Sequence, residues 1–374
     1  MYSNLVDFKY ILLIINLHEV DRWVCSHGGI YSARSYDVRI DFSSNVNPLG
    51  ISSTVLLELK KEMRQLSSIY PDPECIDLKK SLIHYLDNAV SIDQISVGNG
   101  ATELIDNFAR TFGKNEVVIP SPTFCEYELA SRRAGATVKF LPMSNWEIEP
   151  DSIIESSRKA NVIFLCNPNN PTGILSSKSI RKILESANDR TKILLDESFI
   201  ELTDNPKEYT ASIEDLKEYP NLMILRSLTK SHGLAGLRIG YSVSHPNLAK
   251  KMSARKITWN VNGFAQLAAT IALKDRMHLD RARKIIKRER KFMFTEILKR
   301  LKTFSTVRSD VNFYLLDLHG RRNSTRFRDY LLNMNRVLVR DCSNFRGLGK
   351  NFIRVAIKTR KQNLELLRLL ELID

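Results

Sequence analysis

The sequence predicts an α/β fold built on a mostly parallel, helix-covered sheet, with a smaller α+β domain behind it. Two observations carry this. Short apolar runs recur at residues 94–97, 116–119, 138–141, 162–166, 192–195, 222–225 and 238–241, and helix-patterned segments such as 101–110, 125–134 and 178–187 lie between most of them. Strands alternating with helices imply βαβ crossovers, which set neighbouring strands parallel and cover the sheet on both faces. After about residue 256 the pattern changes to long helices with apolar runs at 312–316, 337–339 and 352–356, which predicts the α+β domain.

A chain of 374 residues, 43% of them hydrophobic, is long enough for two associated globular domains, and no low-complexity linker, repeat or heptad array interrupts it. The apolar stretch from Tyr10 to Leu17 is too short to span a bilayer and has no convincing small-residue cleavage site after it, so an arm or short helix packed on the body is expected. Five cysteines (Cys25, Cys75, Cys125, Cys166, Cys342) are scattered and odd in number, with no CxxC pair. That argues against a disulfide framework and against structural zinc, and fits a reducing cytoplasm.

The net charge of +14 would suit an anionic substrate or a nucleic acid. Much of the excess lies in residues 281–302, where basic residues interleave with Ile285, Ile286, Phe292, Ile297 and Leu298 at roughly helical spacing. This reads as the solvated face of a helix, so neither nucleic acid nor membrane is expected as a partner.

In open α/β sheets ligands gather outside the carboxyl ends of the strands, and the chemically distinctive residues fall there. Gly98-Asn99-Gly100-Ala101-Thr102-Glu103 joins a strand to a helix, where free N–H groups and the positive dipole end can hold a phosphate. A dinucleotide fingerprint fails at this turn: Glu103 stands where the third glycine belongs, and the next strand ends in Pro120 rather than an acid.

Asn167-Pro168-Asn169-Asn170-Pro171 closes another strand and presents amides where a ring hydroxyl could bind. Asp196 ends a buried strand, where a carboxylate needs a partner; a protonated pyridine nitrogen is a suitable one. Lys230 follows the strand at 222–225 amid Ser227, Thr229 and Arg238, an amine for an aldehyde beside donors for a phosphate. Together these specify pyridoxal 5'-phosphate.

With those motifs in that order, residues 25 to 374 resemble the fold-type-I pyridoxal-phosphate enzymes, in the aminotransferase class I/II branch. The resemblance implies a large domain with a mostly parallel seven-stranded sheet at residues 51–255 and a small domain at 256–374, with residues 1–50 an arm joining the small domain. It makes Lys230 the Schiff-base lysine, Asp196 the partner of the ring nitrogen, Asn170 the ligand of the ring hydroxyl and Phe124 the aromatic stacked on the ring. Gly100, Ala101, Thr102, Ser227, Thr229 and Arg238 would hold the phosphate. Tyr70 matches a tyrosine that reaches the phosphate of a neighbouring subunit, which implies a homodimer. Phe199 departs from the pattern, since many aminotransferases carry a tyrosine there.

Within the family, Ser26-His27-Gly28-Gly29 and the segment 41–50 resemble the threonine-phosphate decarboxylases of cobalamin synthesis, as do the segments around Arg340 and Arg354. Ile30 departs from them, and Ser231-His232-Gly233 after the lysine resembles the aminotransferases equally. The resemblance assigns Arg354 to a substrate carboxylate, and His27, Asn45 and Arg340 to a substrate phosphate and its polar surroundings. It implies decarboxylation of L-threonine O-3-phosphate; the alternative is a 2-oxoglutarate-dependent histidinol-phosphate aminotransferase.

Overall fold

The structure, a computed structural model, describes residues 25–33, 37–209 and 215–374; the apolar stretch at Tyr10–Leu17 lies outside the described residues. The chain begins with a short strand, β1 (Ile40–Asp41), followed by helices α1 (Ser53–Leu66) and α2 (Ile76–Tyr85). Strands and helices then alternate: β2 (Ile95–Gly98), α3 (Ala101–Phe112), β3 (Glu116–Ser121), α4 (Glu126–Arg133), β4 (Thr137–Pro142), α5 (Pro150–Ser157), β5 (Val162–Cys166), α6 (Ser177–Ser186), β6 (Lys192–Asp196), β7 (Leu222–Ser227), α7 (Leu228–Ser231) and β8 (Gly240–Ser244).

These strands form one seven-stranded sheet in the order β2-β8-β7-β6-β5-β3-β4, with every pair parallel except the two made by β8. The sequence pattern anticipated the parallel part. The antiparallel β8 arises because residues 228–239 contain one helical turn and a loop that stay on the carboxyl edge, so the chain re-enters the sheet from that edge. Arg238, expected at the start of this strand, instead lies before it with φ +62°.

The sheet forms because its central strands carry apolar runs, whereas the edge strand β4 has no fully buried residue. All five residues of β5, Val162–Cys166, are buried, as a strand covered on both faces requires. One face packs on Leu104, Ile105, Phe108 and Ala109, which lie on a single stripe of α3. The other packs on α6 through Ile180, Ile183 and Leu184. Phe164 is fully buried between sheet and helices, and truncating such a residue to alanine costs about 3–5 kcal/mol.

Beyond the sheet, α8 (Pro246–Ser253), α9 (Gly263–Ala272) and α10 (Arg276–Arg300) lead to a four-stranded antiparallel sheet. It contains β9 (Ser305–Thr306), β10 (Phe313–Asp317), β12 (Arg340–Asp341) and β13 (Phe352–Ala356); α11 (Ser324–Asn335) and β11 (Val337–Leu338) intervene, and α12 (Arg360–Ile373) ends the chain. The N-terminal strand belongs to this part of the molecule, because β1 pairs in parallel with β11 and Phe42 is buried among Leu316, Val337 and Val355.

The basic segment 281–302 lies on α10. Its buried stripe is Leu279, Ala282, Ile286, Met293 and Ile297, while Arg281, Lys284, Lys287 and Lys291 are exposed. Arg290 pairs with Asp204 at 2.8 Å and Arg283 with Asp280 at 3.0 Å, so part of this face is engaged with carboxylates.

Candidate active site

Register brings the motif ends together. Gly98 pairs with Gly240, Gly240 with Ser227, and Cys166 with Asp196, all on the carboxyl edge of the large sheet. Beside that edge lies a cavity of about 440 Å³. Ala101, Thr102, Phe124, Asn170, Asp196, Ser227, Thr229, Lys230 and Arg238 line it on the side of the large sheet, and His27, Asn45, Arg340 and Arg354 line the opposite side. Thirteen of the expected residues therefore share one site. Tyr70 does not line it: the ring is 78% exposed and stacks on Trp259 with centroids 4.7 Å apart.

Lys230 sits in the single turn of α7, and its ammonium has no hydrogen-bond partner among the described residues. Burial pulls its pKa down to about 8, the Arg354 and Arg238 cations act in the same direction, and Asp196 opposes them. Such an amine can both hold and release a proton near neutral pH.

Burial pushes Asp196 upward, opposed by donation from Ser198 and Tyr127 and by Lys230. The Ser198 amide donates to Oδ1 at 2.8 Å and the Tyr127 hydroxyl to Oδ2 at 2.7 Å. Tyr127 was not singled out from the sequence. The available signal was a tyrosine one turn after Phe124 on a buried helix, where a phenol needs a polar partner.

At the other end of the lysine side, Gly100 has φ +78°, and a Cβ there would stand 2.5 Å from Nη2 of Arg238. Glycine thus lets the guanidinium lie against the first turn of α3, whose initial N–H groups have no intrahelical acceptor. Arg238 forms no ion pair among the described residues. Gly240 serves the same close packing, since its Cβ would meet the Ala101 nitrogen at 2.7 Å. A guanidinium, helix N–H groups and the hydroxyls of Ser227 and Thr229 around one end of a cavity fit a phosphate dianion. With Lys230 and Asp196 lining the same cavity and coupled electrostatically, the residues fit pyridoxal 5'-phosphate.

Across the cavity, Arg354 on β13 donates through Nη1 to Oδ1 of Asn170 and through Nη2 to the Ser43 carbonyl at 2.9 Å. With its oxygen turned inward, the Asn45 amide accepts from Nη1 and Nε at 3.1 Å. Arg354 lies 5.2 Å from the Phe313 ring centroid, makes no ion pair among the described residues, and is lowered by burial to about 9. A buried guanidinium held by neutral acceptors alone is set up for an anionic ligand.

Arg340 is also buried, with its pKa lowered by that burial. It donates to the Ser26 carbonyl at 2.5 Å and to Oδ1 of Asn344 at 2.7 Å, so it ties the N-terminal segment to the small sheet. His27 lines the cavity, but its Nε2 is engaged with Oε1 of Glu126 at 2.8 Å. Phe199 is buried against Phe313, centroids 5.1 Å apart, so the ring hydroxyl has no phenol there. Ile30 is exposed and outside the cavity lining.

The cysteines require a correction. Cys25 and Cys125 are bonded, with Cα atoms 5.9 Å apart and a sequence separation of 100, whereas Cys75, Cys166 and Cys342 are free and buried. A pair so far apart in sequence shows no local spacing signal. Among the described residues no helix is long and apolar enough to cross a membrane.

A model of the family described as aminotransferase class I and II matches residues 38–370. A protein of Caldanaerobacter subterraneus subsp. tengcongensis, provisionally named a threonine-phosphate decarboxylase, is 35% identical over 334 residues, covering 87% of this chain and 88% of that one. The crystal structure of the histidinol-phosphate aminotransferase from Clostridium acetobutylicum is 32% identical with a TM-score of 0.82, covering 89% of this chain and 98% of that one. The crystal structure of L-threonine-O-3-phosphate decarboxylase from Porphyromonas gingivalis is 29% identical with a TM-score of 0.80, covering 89% and 99%. With this fold and this cavity, the chain belongs to the aminotransferase class I and II family, and its cofactor is pyridoxal 5'-phosphate.

Proposed function

We propose that the chain decarboxylates L-threonine O-3-phosphate to (R)-1-aminopropan-2-yl phosphate and CO2, a step of cobalamin synthesis. One observation carries this reading: His27 and Gly28 form part of the cavity wall, and the adjoining Ser26 is bonded to Arg340. This is the segment that resembles the decarboxylases in sequence. The Caldanaerobacter relative and the Porphyromonas structure support the same reading.

Pyridoxal phosphate, when bound, supplies an aldehyde for the substrate amine and a cationic ring that draws electrons from the bond being broken. The side chains do the rest. Asp196 keeps the ring nitrogen cationic, and Tyr127 and Ser198 keep Asp196 in place. Asn170, whose oxygen is held by Arg354, keeps its amide N–H groups for the ring hydroxyl. Arg354 and Asn45 would receive the substrate carboxylate and fix its orientation in the cavity, so that the bond to that carboxylate is the one positioned to break. Arg340 and His27 stand at the end of the cavity proposed for the substrate phosphate. The Lys230 amine, pulled into the neutral range, delivers a proton to the substrate Cα after CO2 leaves.

Threonine phosphate incubated with the holoenzyme and no keto acid should release CO2. The second reading, histidinol-phosphate transamination, is favoured by the likeness to the Clostridium structure. It would yield glutamate only with 2-oxoglutarate present, and that outcome without CO2 release would overturn the first. Serine phosphate, one methyl smaller, should be discriminated by only about 1–3 kcal/mol.

We also propose a homodimer in which Tyr70 reaches the neighbouring subunit's phosphate site. Its support is the position of the ring, exposed on the surface and away from its own cavity.

A further inference from the structure

At the rim of the cavity, Cys25, His27, Cys125 and Glu126 converge from two separate segments. Their donor atoms all lie within 4.8 Å of one another. Cys25 and His27 come from the N-terminal segment, while Cys125 caps α4 and Glu126 is its first residue. Cys25 Sγ is 3.7 Å from His27 Nε2, and that nitrogen is 2.8 Å from Glu126 Oε1. The other carboxylate oxygen, Oε2, is held by Arg133 at 3.2 Å, which turns Oε1 toward the cluster.

Two thiols, an imidazole and a carboxylate are the donor types of a zinc site. Bonds of about 2.3 Å to sulfur and about 2.0–2.2 Å to nitrogen and oxygen put tetrahedral ligand atoms roughly 3.3–3.8 Å apart. With all four donor atoms within 4.8 Å of one another, the cluster has the size of such a site once the two sulfurs are released. Hard cations such as magnesium and calcium prefer all-oxygen sites, so a borderline metal is selected. Cys125 and Glu126 are buried, whereas His27 is exposed, which leaves the site open to an entering ion.

We propose that, once the Cys25–Cys125 bond is reduced, these four side chains bind one divalent metal ion of the zinc class. Reduction by a phosphine and one water delivers two electrons and two protons to the two sulfurs, giving two thiols and leaving the phosphine as its oxide. Metal binding then releases both thiol protons as the thiolates ligate. Disulfide and metal are alternative staples between the same segments: both hold the N-terminal segment, whose Ser26 bonds Arg340, against α4. Arg133 orients Glu126 as a supporting partner.

The holoenzyme is reduced with a phosphine, supplied with zinc chloride, desalted and analysed for metal. Reduced wild type should retain about one zinc per chain, and Cys25→Ser and Cys125→Ser should retain none above background while keeping the cofactor absorbance that reports folding. Independently of any variant, zinc should slow alkylation of Cys25 and Cys125 in reduced wild type, as read by peptide mass mapping. Absence of zinc uptake by reduced wild type, meaning a disulfide alone, would overturn the proposal; so would equal retention by both serine variants, or alkylation unaffected by zinc. None of these readouts depends on which substrate is turned over.

Discussion

The Tyr127 hydroxyl donates to Oδ2 of Asp196 at 2.7 Å, from a ring stacked on Phe164 with centroids 5.1 Å apart. The Asp196 carboxylate is thus fixed by a helix as well as by its own strand. Burial works against its charge, and donation from Ser198 and Tyr127, with the Lys230 cation beside them, opposes that burial.

Replacing Tyr127 with Phe keeps the stack and removes the donor. A hydrogen bond to a charged group contributes about 1.5–3 kcal/mol, so kcat/KM should fall roughly 10- to 150-fold while cofactor content stays full. Steady-state kinetics on cofactor-saturated protein measure this; a change under about twofold would mean that Ser198 alone positions Asp196.

Much of this site was legible because Asp196 ends an apolar run and Asn170 and Lys230 closely follow one, with Arg238 eight residues beyond Lys230, on the strand ends where α/β sheets collect ligands. Tyr127 was not, since a single aromatic on a buried helix face looks like core until its hydroxyl's partner is known. The Cys25–Cys125 bond and the Arg354–Asn170 contact join positions 100 and 184 residues apart, and no local pattern encodes such a meeting. The antiparallel β8 depended on which edge a twelve-residue connection left from, a question of three-dimensional path rather than of periodicity.

Lys230 gives a pH signature. Capture of the cofactor aldehyde requires a neutral amine, so the rate of cofactor uptake by the apoprotein should rise through pH about 8 and level off above it. A solvated lysine would continue rising toward about 10.4. Between these values the unfolded chain binds more protons at this residue than the folded one, so apoprotein stability gains from Lys230 as pH rises across the window. Stopped-flow absorbance across this range, with Lys230→Ala as the silent control, decides it.

Gly100→Ala should weaken cofactor binding about tenfold or more. The left-handed backbone costs roughly 1–2 kcal/mol for a residue with a Cβ, and that atom would also displace Arg238 from the first turn of α3. Gly135→Ala is the matched control, with φ +82° and nothing within 4 Å of the added atom. It should lose stability without losing cofactor affinity; equal affinity losses in the two variants would remove Arg238 from the phosphate site.

If Tyr70 completes the neighbouring site, two inactive variants should rescue one another. In a mixed dimer of Tyr70→Phe and Lys230→Ala chains, one site pairs an intact Lys230 with an intact Tyr70. Random exchange of subunits should then restore roughly a quarter of wild-type activity. A mixture that stays at the sum of the separate activities, after exchange is verified by mass, would place Tyr70 outside catalysis.

Arg354 and Arg340 should separate by substrate. Arg354, held by Asn170 and the Ser43 carbonyl, is assigned to the carboxylate that threonine and threonine phosphate both carry. Arg340, held by Ser26 and Asn344, is assigned to the phosphate that only one of them carries. Arg354→Lys keeps a charge but loses the planar fork, so it should lower kcat/KM for both compounds by about 10- to 100-fold. Arg340→Lys should penalise threonine phosphate by a similar factor and leave the slow reaction of threonine nearly unchanged. Equal losses on both substrates in the Arg340 variant would show that this arginine acts by anchoring Ser26 to the cavity wall.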